Sequence, residues 1–295
     1  MRFHGAATAL VTPFANGRID VTAYEALIET QIEAGISGLV PAGTTGECPV
    51  LSHDEHNEIV RVCVRVAQGR ATVIAGTGSN ATDEAISLTK AAEKAGADAA
   101  LIVAPYYNKP CSRGLYAHFK AIHDATTIPI ILYNVPGRTV VDISVELALR
   151  LGELERIVGI KDATGDLSRP ARIKNGLGAD FIQLSGEDAT AVAFNAQGGC
   201  GVISVTSNVA PAQVAAIQKA CFDGDFAKAA ALDAALVDLH ASMFCAPSPA
   251  PAKYAASLLG LCDEEVRLPL VAPSEEKRER IVSAMRGAGL EFGHV

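Results

Sequence analysis

Along the 295-residue chain, short runs of β-branched and apolar residues alternate with longer stretches whose apolar positions recur at helical spacing. The runs at 6–10, 38–40, 72–75, 99–103, 129–133, 157–160, 181–184 and 201–204 read as strands. Amphipathic stretches at 21–33, 54–67, 82–94 and 115–124 fall between the first five of them. Asp20 and Ser52 stand where helix N-caps belong, and Gly35 and Gly96 where helices should stop. Strand–helix alternation implies a parallel sheet with right-handed crossovers. Eight strands spaced about 27 residues apart predict an α/β fold, a (β/α)8 TIM barrel rather than an open sheet. The barrel is expected over residues 1–225. Residues 226–295 keep helical periodicity without a convincing strand, and predict a C-terminal helical appendage packed on the barrel. Pro247, Pro249 and Pro251 should mark a break between its helices.

Composition narrows the function. Twenty-five Lys and Arg against 33 Asp and Glu leave a formal charge of −8, which argues against a phosphate-backbone partner. Trp is absent and aromatics are few, so base-stacking platforms are disfavoured too. No basic tract offers a contact for anionic membranes. The seven cysteines, at 48, 63, 111, 200, 221, 245 and 262, form no CxxC and read as reduced thiols of a cytoplasmic protein. The uncharged stretch 189–218 is too interrupted by Asn, Gly and Pro for a membrane span, and is better read as a buried strand between loops.

In such barrels the reactive groups sit at the C-terminal ends of strands and in the loops that follow. The sixth strand ends in Lys161-Asp162, and period-two alternation puts Ile157, Gly159 and Lys161 on one face. A lysine in a barrel mouth would be partly desolvated, which favours a neutral amine able to form a Schiff base with a ketone. A solvated Lys161-Asp162 turn is the plainer alternative. Tyr133 ends the fifth strand beside it, placed either for proton transfer or as a core aromatic. Arg138, in the turn that follows, suits a carboxylate or a surface salt bridge. The loop Gly43-Thr44-Thr45-Gly46-Glu47 offers N–H and hydroxyl donors to a small carboxylate, or serves as a capping turn.

Taken together, Gly43-Thr44-Thr45-Gly46-Glu47, Tyr133-Asn134-Val135-Pro136-Gly137-Arg138 and Gly159-Ile160-Lys161-Asp162 resemble the dihydrodipicolinate synthase (4-hydroxy-tetrahydrodipicolinate synthase) family, over essentially the whole chain. The resemblance implies condensation of pyruvate with aspartate 4-semialdehyde in the diaminopimelate pathway of lysine biosynthesis, by a class I aldolase-type enzyme. It implies that Lys161 forms the Schiff base, and that Tyr133, Thr44 and Tyr107 form a proton relay, with Tyr107 arriving from a neighbouring subunit. Thr45 would hold the pyruvate carboxylate and Arg138 that of the aldehyde, while Gly186 and Ile203 line the site through backbone groups. It further implies a homotetramer built as a dimer of dimers, with no cofactor and no metal.

The segment Ser52-His53-Asp54-Glu55-His56 does not have zinc-protease spacing, because its histidines are three apart rather than four. It reads alone as a solvated helix start. The resemblance instead matches His53, His56, Asn80, Glu84 and Tyr106 to an inhibitory lysine site between subunits, from which Cys48-Pro49 departs. The run from Gly76 to Ala81 imitates a dinucleotide fingerprint, but Asp98 precedes the next strand instead of ending it, so NAD is not expected. Residues 205–208 carry no Lys or Arg, which weakens a sugar-phosphate reading. Two rivals remain: an N-acetylneuraminate or keto-sugar-acid lyase sharing the Schiff-base lysine, against which Arg138 argues, and a non-catalytic relative.

Overall fold

The computed structural model describes residues 3–293; the outermost ends of both expected regions, 1–2 and 294–295, lie outside them. Eight parallel strands close into a barrel: β1 (Gly5–Ala9), β2 (Gly38–Val40), β3 (Thr72–Gly76), β4 (Ala99–Val103), β5 (Ile130–Asn134), β6 (Ile157–Asp162), β7 (Ile182–Ser185) and β8 (Gly201–Ser204). The last pairs with the first, Gly5 opposite Gly201, so no strand edge is left open. Around it run α1 (Val21–Glu33), α2 (His53–Ala67), α3 (Thr82–Ala95), α4 (Ser112–Ala125), α5 (Val145–Gly152), α6 (Arg169–Leu177), α7 (Ala191–Ala196) and α8 (Pro211–Phe222).

Local chemistry sets these boundaries. Asp20 accepts a hydrogen bond from the Ala23 amide, and Ser52 forms a reciprocal capping box with Glu55. Gly96 ends α3 at φ 90°, a left-handed conformation that costs glycine little. The uncharged stretch holds α7, β8 and the start of α8. Among the described residues no helix is long and apolar enough to cross a membrane.

Inside the barrel, Ala7, Val40, Ile74, Leu101, Ile131 and Leu184 fill the axis, while larger clusters pack between the strands and the helices. Gly159 leaves room on the inner face of β6, where a Cβ would meet the Ile182 Cβ at 2.6 Å.

Four more helices follow: α9 (Phe226–Ala234), α10 (Val237–Ser242), α11 (Ala250–Leu258) and α12 (Glu275–Gly287). Pro247 and Pro249 fall between α10 and α11, whereas Pro251 lies in the first turn of α11, where a missing N–H costs nothing. A small hairpin, Phe14–Ala15 with Arg18–Ile19, was not expected. Its signal was the Asn16-Gly17 pair, both at positive φ, the chemistry of a tight hairpin turn.

That hairpin is part of a junction between barrel and C-terminal helices. Lys253 on α11 is fully buried and donates to the Glu47 carboxylate at 2.7 Å and to the Glu265 carbonyl at 2.6 Å. Its ammonium lies 4.0 Å from the centre of the Phe14 ring. The second Glu47 oxygen accepts the Arg267 amide at 3.0 Å, and the Arg267 guanidinium forks onto Glu55. Burial pulls the Lys253 ammonium down from its ordinary value, and Glu47 opposes that pull. Replacing Lys253 by Met would strand the Glu47 charge in the interior. The expected loss is about 3–5 kcal/mol in urea unfolding, with much of it recovered in the Lys253→Met/Glu47→Gln double variant.

Candidate active site

β5 and β6 run side by side with Tyr133 opposite Lys161 in the register. Both side chains face the barrel mouth and are nearly closed off from solvent, Lys161 at 6 % exposure and Tyr133 at 8 %. The Lys161 ammonium stands 4.2 Å from the centre of the Tyr133 ring, close enough for the ring face to stabilise a cation there. A solvated Lys161-Asp162 turn is thereby ruled out. Asp162 is buried as well and points away into a separate network, accepting Arg169 at 2.7 Å and the Thr164 hydroxyl at 2.6 Å. Arg169 also holds the Ile143 carbonyl, so the end of β6 is fixed from behind.

Lys161 and Tyr133 open into a small cavity of about 50 Å³, whose walls include Thr44, Thr45, Arg138, Gly186, Glu187, Phe244 and Ser248. The loop after β2 is bracketed by Ala42 at φ 54° and Glu47 at φ 57°. Left-handed backbone at such residues costs of order 1–3 kcal/mol each and persists only where the surroundings enforce it. Here the Thr12 hydroxyl donates to the Gly46 carbonyl at 2.7 Å, and Glu47 is gripped by Lys253. Arg138 sits on a single helical turn, Pro136–Thr139, directly after β5, with its side chain exposed toward the cavity.

Next to this cavity is a larger one of about 380 Å³ that shares the walls Thr44, Val135 and Arg138. Its lining includes His53, His56, Glu84, Tyr106, Cys48 and Pro49. The His56 Nε2 lies 2.8 Å from the Gly76 carbonyl, which makes it the N–H donor and leaves Nδ1 as a buried acceptor without a hydrogen-bond partner among the described residues. Burial pulls the His56 imidazole down from its ordinary value, favouring the neutral ring. Hydrogen bonds from Ser79 and then His53 hold the Glu84 carboxyl below the usual range. Burial pushes the Cys48 thiol up to about 12, so it stays protonated. The dinucleotide-like glycines lie near this cavity for steric reasons: a side chain on Gly76 would collide with the Ala42 carbonyl, and one on Gly78 with the Val103 amide.

Of the residues singled out from the sequence, Lys161, Tyr133, Thr44, Thr45, Arg138 and Gly186 gather around the small cavity, and His53, His56, Glu84 and Tyr106 around the larger one. Two are elsewhere. Ile203 is fully buried inside the barrel on β8, opposite Ala7. Tyr107 is 90 % exposed at φ 70° and lines neither cavity within this chain. Asn80 is half-buried, and its carbonyl accepts the Asn108 side chain at 2.8 Å. Sequence reasoning missed Glu187, Phe244 and Ser248. The first follows the end of β7, where the strand-end rule points; the other two arrive from the C-terminal region, and nothing local marks them.

Gly186 is held to β6 by its amide, 2.7 Å from the Asp162 carbonyl. A Cβ there would meet the Ala163 Cβ at 2.6 Å and the Asp162 carbonyl oxygen at 3.2 Å. Gly186→Ala should therefore push the strand end that carries Lys161. A displacement near 1 Å is expected to lower kcat/KM by roughly a hundredfold while the far-ultraviolet circular dichroism stays unchanged.

The profile of the dihydrodipicolinate synthetase family matches residues 2–288. The 4-hydroxy-tetrahydrodipicolinate synthase of Parvibaculum lavamentivorans is 57 % identical over 288 residues, covering 98 % of this chain and 99 % of that protein. The pyruvate complex of the chloride-inhibited dihydrodipicolinate synthase from Acinetobacter baumannii superposes with a TM-score of 0.96 at 45 % identity, over 98 % of this chain and 99 % of that one. The lysine-bound enzyme of Cyanidioschyzon merolae superposes with a TM-score of 0.95 at 38 % identity, over 98 % of this chain and 99 % of that one. With the barrel, the buried strand-end lysine and this likeness across nearly its full length, the chain belongs to the dihydrodipicolinate synthetase family.

Proposed function

We propose that this enzyme is a 4-hydroxy-tetrahydrodipicolinate synthase that condenses pyruvate with aspartate 4-semialdehyde through a Schiff base on Lys161. The observation that carries the reading is the pairing of buried Lys161 with Tyr133 at the mouth of a cavity walled by carboxylate-binding groups. Lys161 Nζ attacks the ketone carbon of pyruvate, and loss of water gives an imine. The Tyr133 ring face, 4.2 Å from Nζ, steadies the positive charge. Loss of a methyl proton then yields the enamine, whose carbon attacks the aldehyde, while the Tyr133 hydroxyl passes protons along a relay with Thr44. Thr45 and its neighbouring amides hold the pyruvate carboxylate, and Arg138 takes that of the aldehyde. The main chain of Gly186 completes the lining, and Ile203 would contribute its backbone from inside the barrel on β8. Tyr107 points into solvent from a left-handed loop, a placement that suits a relay residue supplied to a second subunit. We read the assembly as a homotetramer of two dimers in the cytoplasm, with residues 226–295 folding as one unit with the barrel.

The larger cavity takes free lysine as an inhibitor in this reading. Glu84 would pair with an ammonium group, His56 Nδ1 would accept a further N–H, and His53, Tyr106 and Asn80 would fix the remainder. Cys48 and Pro49 tailor the cavity wall without supplying charge.

Borohydride added with pyruvate should leave a mass increase of one reduced pyruvyl group on Lys161, and Lys161→Ala should show none. Tyr133→Phe should keep the adduct but lower kcat by about 10²–10⁴-fold in a coupled assay with aspartate semialdehyde. Absence of trapping in the parent protein, or cleavage of N-acetylneuraminate in preference to condensation, would overturn the assignment. Lysine titration of the same assay should show inhibition, and Glu84→Gln should raise the half-inhibitory concentration about tenfold to a hundredfold.

A further inference from the structure

Among the described residues, the Glu187 carboxylate is the one acidic side chain on the wall of the small cavity, which it shares with Lys161 and Arg138. It sits one residue beyond Gly186 at the end of β7, and its backbone is locked on both sides by Ser185: the Ser185 hydroxyl accepts the Glu187 amide at 3.2 Å and donates to the Glu187 carbonyl at 2.9 Å. The next residue, Asp188, is buried and accepts the Val205 and Thr206 amides, so the segment is anchored to the end of β8 as well. The main chain is thus fixed while the carboxylate has no hydrogen bond or ion pair to any described residue. Burial pushes the Glu187 carboxyl up, Lys161 pulls it back down, Asp188 raises it and Arg138 lowers it. A half-buried carboxylate held on a rigid strand end, facing the reacting centre and left without a partner among the described residues, is suited to a cationic group on the ligand.

Resting on the function proposed above, we propose that Glu187 is a specificity-determining residue that binds the α-ammonium group of the amino-aldehyde substrate. Aspartate 4-semialdehyde is a zwitterion at neutral pH, with a carboxylate and an ammonium on one carbon. Arg138 and Glu187 supply the opposite pair of charges on one cavity wall, so the substrate replaces the solvation of both at once. Pyruvate carries no cation and gains nothing from Glu187. An aldehyde acid of the same length without the amino group would leave the Glu187 carboxylate desolvated and unpaired, which selects against it.

The test uses the full-length enzyme and Glu187→Gln, which removes the charge and keeps the shape. Borohydride trapping with pyruvate is measured first, in parent and variant. Failure in the parent overturns the Schiff-base function itself, whereas trapping in both isolates the present proposal. KM for aspartate semialdehyde is then compared with the inhibition constant of succinic semialdehyde, which lacks the ammonium. The expected result is a rise in KM of about tenfold or more, with the inhibition constant unchanged or lower than the parent's because the analogue no longer desolvates an unpaired charge. Glu187→Asp should recover part of the difference. Parallel changes in both constants, or a fall in kcat with both unchanged, would overturn the assignment in favour of a structural or proton-transfer role.

Discussion

A single buried ion pair ties the barrel mouth to the helices that follow it. Glu47 ends the loop that carries Thr44 and Thr45, and its carboxylate is spoken for on both oxygens, by Lys253 and by the Arg267 amide. Isolated, either charge would be costly to keep out of water. Paired, and with Phe14 stacked beneath the ammonium, they hold Glu47 in a left-handed conformation that its own side chain disfavours. The strain at Glu47 is therefore compensated from α11 and the segment after it, in addition to the loop's own backbone bonds and the Thr12 hydroxyl. Phe244 and Ser248 reach the same mouth from the same region. The C-terminal helices are thus part of what shapes the cavity, although it is the strand ends that supply its reactive groups.

Charge operates on two scales here. The chain carries −8 overall, a field that repels anions at a distance. At the cavity, Lys161 and Arg138 face a single carboxylate, so the local sign is reversed within a few ångströms of the reacting centre. Capture of the substrate carboxylates then depends on oriented short-range donors with water excluded, where such contacts are strongest.

Much of this organisation was legible in the residue pattern. Seven of the eight strands were located to within a residue or so at their ends because each is a short apolar run flanked by turn chemistry, and the caps at Asp20 and Ser52 mark helix starts by side-chain hydrogen bonds that are local in sequence. Lys161 and Tyr133 were found from strand-end position, and the register that places them opposite one another follows from the closed parallel sheet. What escaped was of two kinds. The Phe14–Ala15 hairpin had a signal in Asn16-Gly17 that lay outside the repeating strand–helix pattern. The Glu47–Lys253 pair had none, since its partners are 206 residues apart and a lysine within Ala-rich helix reads as a surface residue until the tertiary structure buries it. Whether the inner face of β6 was the one bearing Lys161 also needed the closed barrel, because a five-residue alternation looks the same from either side.

Thr44, Val135 and Arg138 belong to both cavities. A molecule seated in either one leans on walls that the other uses, and packed walls of this kind shift together rather than yield one at a time. Linkage then runs in both directions: an occupant of the larger cavity that changes affinity in the smaller must have its own affinity changed by the same factor when the smaller is filled. Occupancy of the larger cavity would accordingly track the supply of substrate as well as the supply of its own ligand.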